Sequence, residues 1–272
     1  MLNRGETRTK RKFSRNALSS LMMLSTVGLL LGAAGCAADD PEPTPKPTAT
    51  AEPSPAPTPT EEPEPTPEPP AFDTSAYSID DPTSIWVVVN KLRPLNPPSY
   101  VPTDLVYPQV DNTNGQPLRQ VASQATEQMV AAAATDGLYL RIASAYRSYD
   151  TQVSVYGSFV TNQGQAFADT TSARPGHSEH QTGLTADFDA ADGCTLDSCF
   201  ANTPSGLWLH EHAPEYGFIE RYPAGKESVT GYMPEPWHYR YVGTELALEM
   251  RDTGVLTLEE FFGLPAAPDY AG

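Results

Sequence analysis

Thirteen of the chain's 28 prolines lie between Pro41 and Pro70, and this cluster constrains the fold more than any other feature. Each proline holds φ near about −65° and lacks a backbone donor, so such a stretch enters neither a helix interior nor a central strand. The residue before each proline is pushed toward extended backbone as well. Residues 37–70, rich in Pro, Glu and Thr, therefore read as a disordered tether with no recognition role of its own. At about 3.1 Å per residue its reach approaches roughly 100 Å, and acidic residues between Glu61 and Glu68 oppose collapse. A folded domain must come from residues 71–272, a length ample for a sizeable core.

Arg4, Arg8, Lys10, Arg11, Lys12 and Arg15 precede an apolar run from Ala17 to Leu31. A basic start and a short apolar run describe an export signal better than a membrane span. Ala33-Ala34-Gly35-Cys36 follows at once and resembles a bacterial lipobox, with Ala33 where leucine is usual. Residues 1–36 are thus expected to be a signal peptide whose Cys36 becomes lipidated. An ordinary signal peptide cut at the Ala-rich site is the alternative. Either way the domain works outside the cytoplasm, lipid-anchored to the membrane and facing the wall if Cys36 is modified.

Charge narrows the partners. Residues 71–272 carry ten Lys/Arg against 25 Asp/Glu, which argues against a nucleic-acid groove, since phosphate neutralisation needs clustered cations. Three cysteines are too few for a disulfide scaffold. Cys194 and Cys199 enclose a short loop, and export permits a disulfide there, contributing roughly 2 kcal/mol. Zinc ligation by the pair is the alternative.

Helical and strand periods alternate irregularly along the domain, which predicts an α+β fold rather than a doubly wound sheet. Ile85–Val89 suits a buried strand or segment, and Pro94–Pro108 an irregular surface crossing. Pro117–Asp136 predicts a helix burying Leu118, Val121, Ala122, Ala125 and Met129, with Gly137 as its stop. Leu138–Ala145 alternates like a half-buried strand. Ser148 can cap a helix with Val153, Tyr156 and Val160 on one side. Thr185–Phe188, Phe218–Tyr222 and Trp237–Val242 read as further strands. Leu207–Tyr216, Thr244–Asp252 and Leu258–Phe262 read as helices.

Two clusters carry possible chemistry. His180 and Asp187 are seven residues apart, but Gly183 between them argues against a shared helix face. His180 is expected to end a loop, Gly183 to make a turn, and Asp187 to point inward from the next strand. In Glu235-Pro236-Trp237-His238, Pro236 makes a helix improbable, which leaves Glu235 at a strand entrance and His238 on the strand. Two histidines and a carboxylate suit a catalytic zinc with one position open to water, and a nearby carboxylate can take that water's proton. The same pairs also occur as plain hydrogen-bonded structure, and spacing alone does not separate the two.

Other polar residues read more simply. His177 reads as a rim residue, and His210 and His212, near Trp208, as solvent-facing or hydrogen-bonded. Asp189, Asp192 and Asp197 lack the glycine and terminal glutamate of an EF-hand loop and read as a solvated acidic loop. Trp237 and Tyr239 read as core or pocket wall.

Four longer stretches occur in order: Ser144–Tyr149, Pro175–Leu184, Tyr216–Pro223 and Glu235–Gly243. With Ser178-x-His180-x-x-Gly183-…-Asp187 and Glu235-x-x-His238, they resemble the VanY-type D-alanyl-D-alanine carboxypeptidases over about Pro117 to Leu264. These are zinc peptidases grouped with the VanX dipeptidases. Thr185 stands where the signature has alanine. The resemblance implies a hedgehog-like fold, a small, mainly antiparallel sheet flanked by helices. It implies one Zn2+ held by His180, Asp187 and His238, with Glu235 as catalytic base. Arg147 would stabilise charge on the scissile carbonyl oxygen, Ser178 would help hold the substrate carboxylate, and Gln152 is a further candidate contact.

The implied function is hydrolysis of the terminal D-Ala-D-Ala bond of peptidoglycan stem peptides, with no obligate protein partner. Alternatives are an L,D-carboxypeptidase, a D,D-dipeptidase, a wall endopeptidase, or a non-catalytic wall-binding module.

Overall fold

Successive side chains of a strand point to opposite faces, and in this chain the alternation separates core from chemistry. The structure, a computed structural model, describes residues 71–271. The expected signal peptide, Cys36 and the tether lie outside the described residues.

In chain order the described elements begin with the two-residue strands β1 (Leu105–Val106) and β2 (Leu118–Arg119), then helix α1 (Gln120–Thr135) and strand β3 (Arg141–Ser144). Helices α2 (Tyr149–Gln163) and α3 (Gln165–Thr171) precede strand β4 (Thr185–Asp189) and helix α4 (Pro204–His212). Strand β5 (Phe218–Glu220), the single turn α5 (Glu227–Thr230) and strand β6 (His238–Tyr241) follow, then helices α6 (Thr244–Thr253) and α7 (Leu258–Phe261). β1 pairs with β2, while β3, β4, β6 and β5 form an antiparallel sheet in that order. The fold is α+β, as the irregular mixture of periods predicts.

Register fixes which residues share a face. Thr185 lies opposite Arg240, Ala186 opposite Tyr239, and Asp187 opposite His238. Ala186, Phe188, Tyr239 and Phe218 therefore point one way, into a core closed by Ala122, Met129 and Ala133 of α1 and Leu209 of α4. Thr185, Asp187, His238 and Arg240 point the other way and are also buried. A second core of Trp86, Val88, Val242, Leu246 and Met250 packs α6 against the N-terminal segment.

Some local expectations are met and others need correction. Of the two forms expected for Ile85–Val89, Trp86–Val89 takes the second, a buried segment outside any strand, and the guanidinium of Arg240 takes the carbonyls of Ile85 and Val87. The Pro94–Pro108 stretch carries a short strand, β1, because Leu105 and Val106 find partners in β2. Val121 is exposed, and Leu118 precedes α1 as part of β2. Ser148 does cap α2, accepting from the Thr151 amide at 3.2 Å. However, Val153 faces solvent, and only Gln152 of α2 is buried. The cavity is lined by a different side of α2, Val155 and Phe159, and not by Val153, Tyr156 and Val160, so helical period picked the wrong face.

Candidate active site

Three neighbouring strands assemble the site. Ser144 pairs with Asp187 across β3 and β4, and Asp187 with His238 across β4 and β6. His180 arrives from a single 3-10 turn, Glu179–Thr182, which Gly183 ends at φ +68°. A side chain at Gly183 would also meet Arg119 and Leu105 at 3.0 Å, so this turn needs glycine twice over. Glu235 lies in the turn entering β6. Its amide donates to Tyr222 O at 3.0 Å, and the His238 amide donates to Glu235 O at 2.9 Å, which folds the carboxylate back beside the imidazole.

The resulting distances are short. His180 Nε2 lies 3.3 Å from Asp187 Oδ2. His238 Nδ1 lies 3.2 Å from Asp187 Oδ1 and 3.4 Å from Glu235 Oε2. One ligating atom from each of His180, Asp187 and His238 falls within 4.8 Å of the others, and all three residues are buried. Asp187 Oδ1 is buried without a hydrogen-bond partner, and a buried carboxylate oxygen left so is costly. A divalent cation would satisfy it. Two imidazole nitrogens and one carboxylate oxygen are a donor set that suits zinc with a position left for water, so the residues fit the metal.

The electrostatics agree. Burial opposes the charge on Asp187, but His180 and His238 outweigh it and hold the carboxyl far below its ordinary range. Burial also opposes charge on His238, yet Asp187, Glu179 and Glu235 around it push its pKa well up. Such a spot favours positive charge. Burial pushes Glu235 above the usual carboxylate range, with His238 pulling the other way, which suits a group that takes and returns protons.

These residues open onto a cavity of about 580 Å³. Arg147 and Ser178 line it. Arg147 is its only Lys or Arg among the described residues, and it donates to Gln152 Oε1 at 2.8 Å and Ser144 Oγ at 3.3 Å. Gln152, expected as a possible substrate contact, does not line the cavity: it is wholly buried and its amide donates to Ala173 O and Ser172 Oγ. It braces Arg147 instead.

Other placements follow from pairing. Asp189 is not solvated: Arg141 donates to it twice, and it is fully buried. Asp192 and Asp197 are exposed. Cys194 and Cys199 are joined by a disulfide. His177 bonds Asn90 O at 2.8 Å, away from the cavity, and His210 bonds Glu220 at 2.8 Å. Trp237 is cavity wall, whereas Tyr239 is core.

Sequence reasoning missed the buried partners of Glu179, which are Arg221 and Arg240. Two arginines inside otherwise buried strand-like stretches were the available signal. It also missed the cavity wall from Val155, Phe159 and Phe167.

Residues 115–244 match the VanY family, described as D-alanyl-D-alanine carboxypeptidase. YodJ of Bacillus subtilis is 41% identical over 191 residues, covering 68% of this chain and 69% of YodJ. The structure of the LD-carboxypeptidase LdcB is 41% identical with a TM-score of 0.63, over 67% of this chain and 87% of LdcB. A VanY D,D-pentapeptidase from a VanB-type resistance cassette, solved as a mutant with Zn(II), is 34% identical with a TM-score of 0.56, over 66% of this chain and 99% of that one. Sequence and structure agree on one lineage across the residues that build the cavity, and the chain belongs to the VanY family of D-alanyl-D-alanine carboxypeptidases.

Proposed function

We propose that the protein is a zinc D,D-carboxypeptidase that removes the terminal D-alanine from peptidoglycan stem peptides. The observation that carries this reading is the buried His180, Asp187 and His238 cluster, with Glu235 at 3.4 Å from His238 and Arg147 in the same cavity. His180, Asp187 and His238 would hold zinc, leaving Glu235 unligated. Zinc supplies Lewis acidity, acidifying water and polarising the scissile carbonyl. Glu235 accepts the proton of the attacking water at its carboxylate and returns one to the leaving amine. Arg147, braced by Gln152 and Ser144, offsets negative charge as it grows on the carbonyl oxygen. Ser178 offers a hydroxyl to the substrate's terminal carboxylate from the cavity wall.

A pentapeptide stem ending in D-Ala-D-Ala should lose one D-Ala, and amidating that terminus should slow cleavage at least about tenfold, roughly 1.4 kcal/mol of transition-state binding. Mass analysis of the products decides it. Equal cleavage of free-acid and amidated stems would sink the carboxypeptidase reading in favour of an endopeptidase. A second reading is favoured by one observation: LdcB, an LD-carboxypeptidase, is 41% identical to this chain against 34% for the VanY D,D-pentapeptidase. If a tetrapeptide stem loses its D-Ala faster than the pentapeptide does, the L,D assignment replaces the D,D one.

The reading extends to location. The basic, apolar and Ala-Ala-Gly-Cys order of residues 1–36 and the prolines of residues 37–70 support a lipid-anchored enzyme on a long tether, facing the wall. Mass spectrometry of Cys36 from the membrane fraction tests this, and an unmodified cysteine there returns the plain signal peptide.

A further inference from the structure

Under His238 lies an ion-pair network closed to solvent. Glu179 Oε1 accepts from Arg221 Nε and Arg240 Nη1, each at 2.9 Å. Arg221 continues to both oxygens of Glu259 at 3.0 and 2.7 Å. All four side chains are 0% exposed. Two cations and two anions balance, yet burying such a set seldom stabilises a fold better than apolar packing would. Its position points to a different role.

Only one oxygen of Glu179 is occupied by the arginines. The other, Oε2, is buried without a hydrogen-bond partner and faces His238 Nε2 at 3.5 Å, an atom equally without a partner. A neutral imidazole has one N–H and one lone pair, so fixing the proton on one nitrogen aims the lone pair of the other. His238 Nδ1 is the nitrogen that faces Asp187 and Glu235. His180 is wired the opposite way: its Nδ1 bonds Ala145 O at 2.7 Å, and its Nε2 faces Asp187.

We infer that Glu179 is the positioning residue of His238, accepting from Nε2–H so that the proton stays on Nε2 and the Nδ1 lone pair points at the metal position, while Arg221 and Arg240 hold the carboxylate still. The inference rests on the proposed ligand set. With one oxygen tied to two guanidiniums, Glu179 is a fixed acceptor and not a substitute for Glu235. A carboxylate behind a ligating histidine both orients the ring and raises its basicity, and losing one typically weakens metal binding about 10- to 100-fold.

The test compares Glu179→Gln with Glu259→Gln in the full chain, reading zinc affinity by chelator competition and folding by the thermal midpoint of the metal-free protein. Both variants break the buried network, but only Glu179 touches His238. Glu179→Gln should weaken zinc binding at least about tenfold, while Glu259→Gln lowers the midpoint and leaves affinity within about threefold. Equal affinity losses in both variants, or none in Glu179→Gln, would overturn the inference. If Glu179→Gln does not fold, nitrogen-15 NMR of His238 in the zinc-loaded parent decides. A proton on Nε2 and metal on Nδ1 supports the assignment, and the reverse refutes it. His180→Ala separates the two levels: zinc affinity unchanged in that variant sinks the ligand set itself, whereas its loss alongside a normal Glu179→Gln sinks only the positioning role.

Discussion

The cavity has two unlike ends. At the sheet end every charged group is held by a neighbour. Asp187 lies between two histidines, Glu179 between two arginines, and Arg147 is braced by Gln152 and Ser144. At the outer end Val155 and Phe159 of α2, Phe167 of α3, Leu196 and Met233 form an uncharged wall, and Phe167, Leu196 and Met233 are more than 40% exposed. Placement of charge to within a few tenths of an ångström governs bond cleavage, and that is built from paired strands. Recognition of an aliphatic surface tolerates looser packing, and that is built from helices and loops that bury little of their own. The division predicts that substitutions at the sheet end change turnover, while those at the wall change affinity.

The largest effect that would sharpen this division is at Glu235. Glu235→Gln should keep zinc, by metal analysis, while kcat falls about 10²- to 10⁴-fold. Zinc loss would make Glu235 a ligand and redraw the sheet end. Arg147→Ala comes next. It should lower kcat by about 10²-fold with a smaller rise in KM, because its contact strengthens as the oxyanion forms. A change confined to KM would move Arg147 from the chemical end to the recognition end. The smallest effect belongs to the wall: Phe159→Ala should raise KM for a stem peptide about three- to tenfold, with kcat within about twofold. A comparable loss of kcat there, measured by steady-state kinetics, would break the division, since the wall would then be setting geometry at the metal.

The same division explains what could be read from the sequence. His180, Gly183, Asp187, Glu235 and His238 were legible because each sits within a few residues of the turn or strand that aims it. The short strands β4 and β6 and the capped start of α2 were legible for the same local reason. Gln152, Asp189 and Glu179 were not. Asp189 is neutralised by an arginine 48 positions away and Glu179 by two at 42 and 61 positions, and such distant pairs leave no periodic trace. α2 misled because it carries two apolar sides: Val153, Tyr156 and Val160 read as the buried one, whereas Val155 and Phe159 line the cavity. Helical period alone does not say which of two apolar sides is covered, nor whether a core or a cavity wall covers it.

The entry of the chain into the domain has a mechanical consequence. Before any strand of the sheet begins, Trp86 donates to Val242 O at 2.8 Å, and Arg240 grips the Ile85 and Val87 carbonyls at 3.1 and 2.8 Å. The same guanidinium holds Glu179. Tension applied at residue 71 would meet the packing of Phe72 on Trp86 and Phe261 and the bonds of Arg93 to Ile79 and Asp80, and behind them the guanidinium of Arg240, which is joined through one carboxylate to the ring of His238. The entry of the chain into the domain and the floor beneath the His238 ring thus hang on one guanidinium.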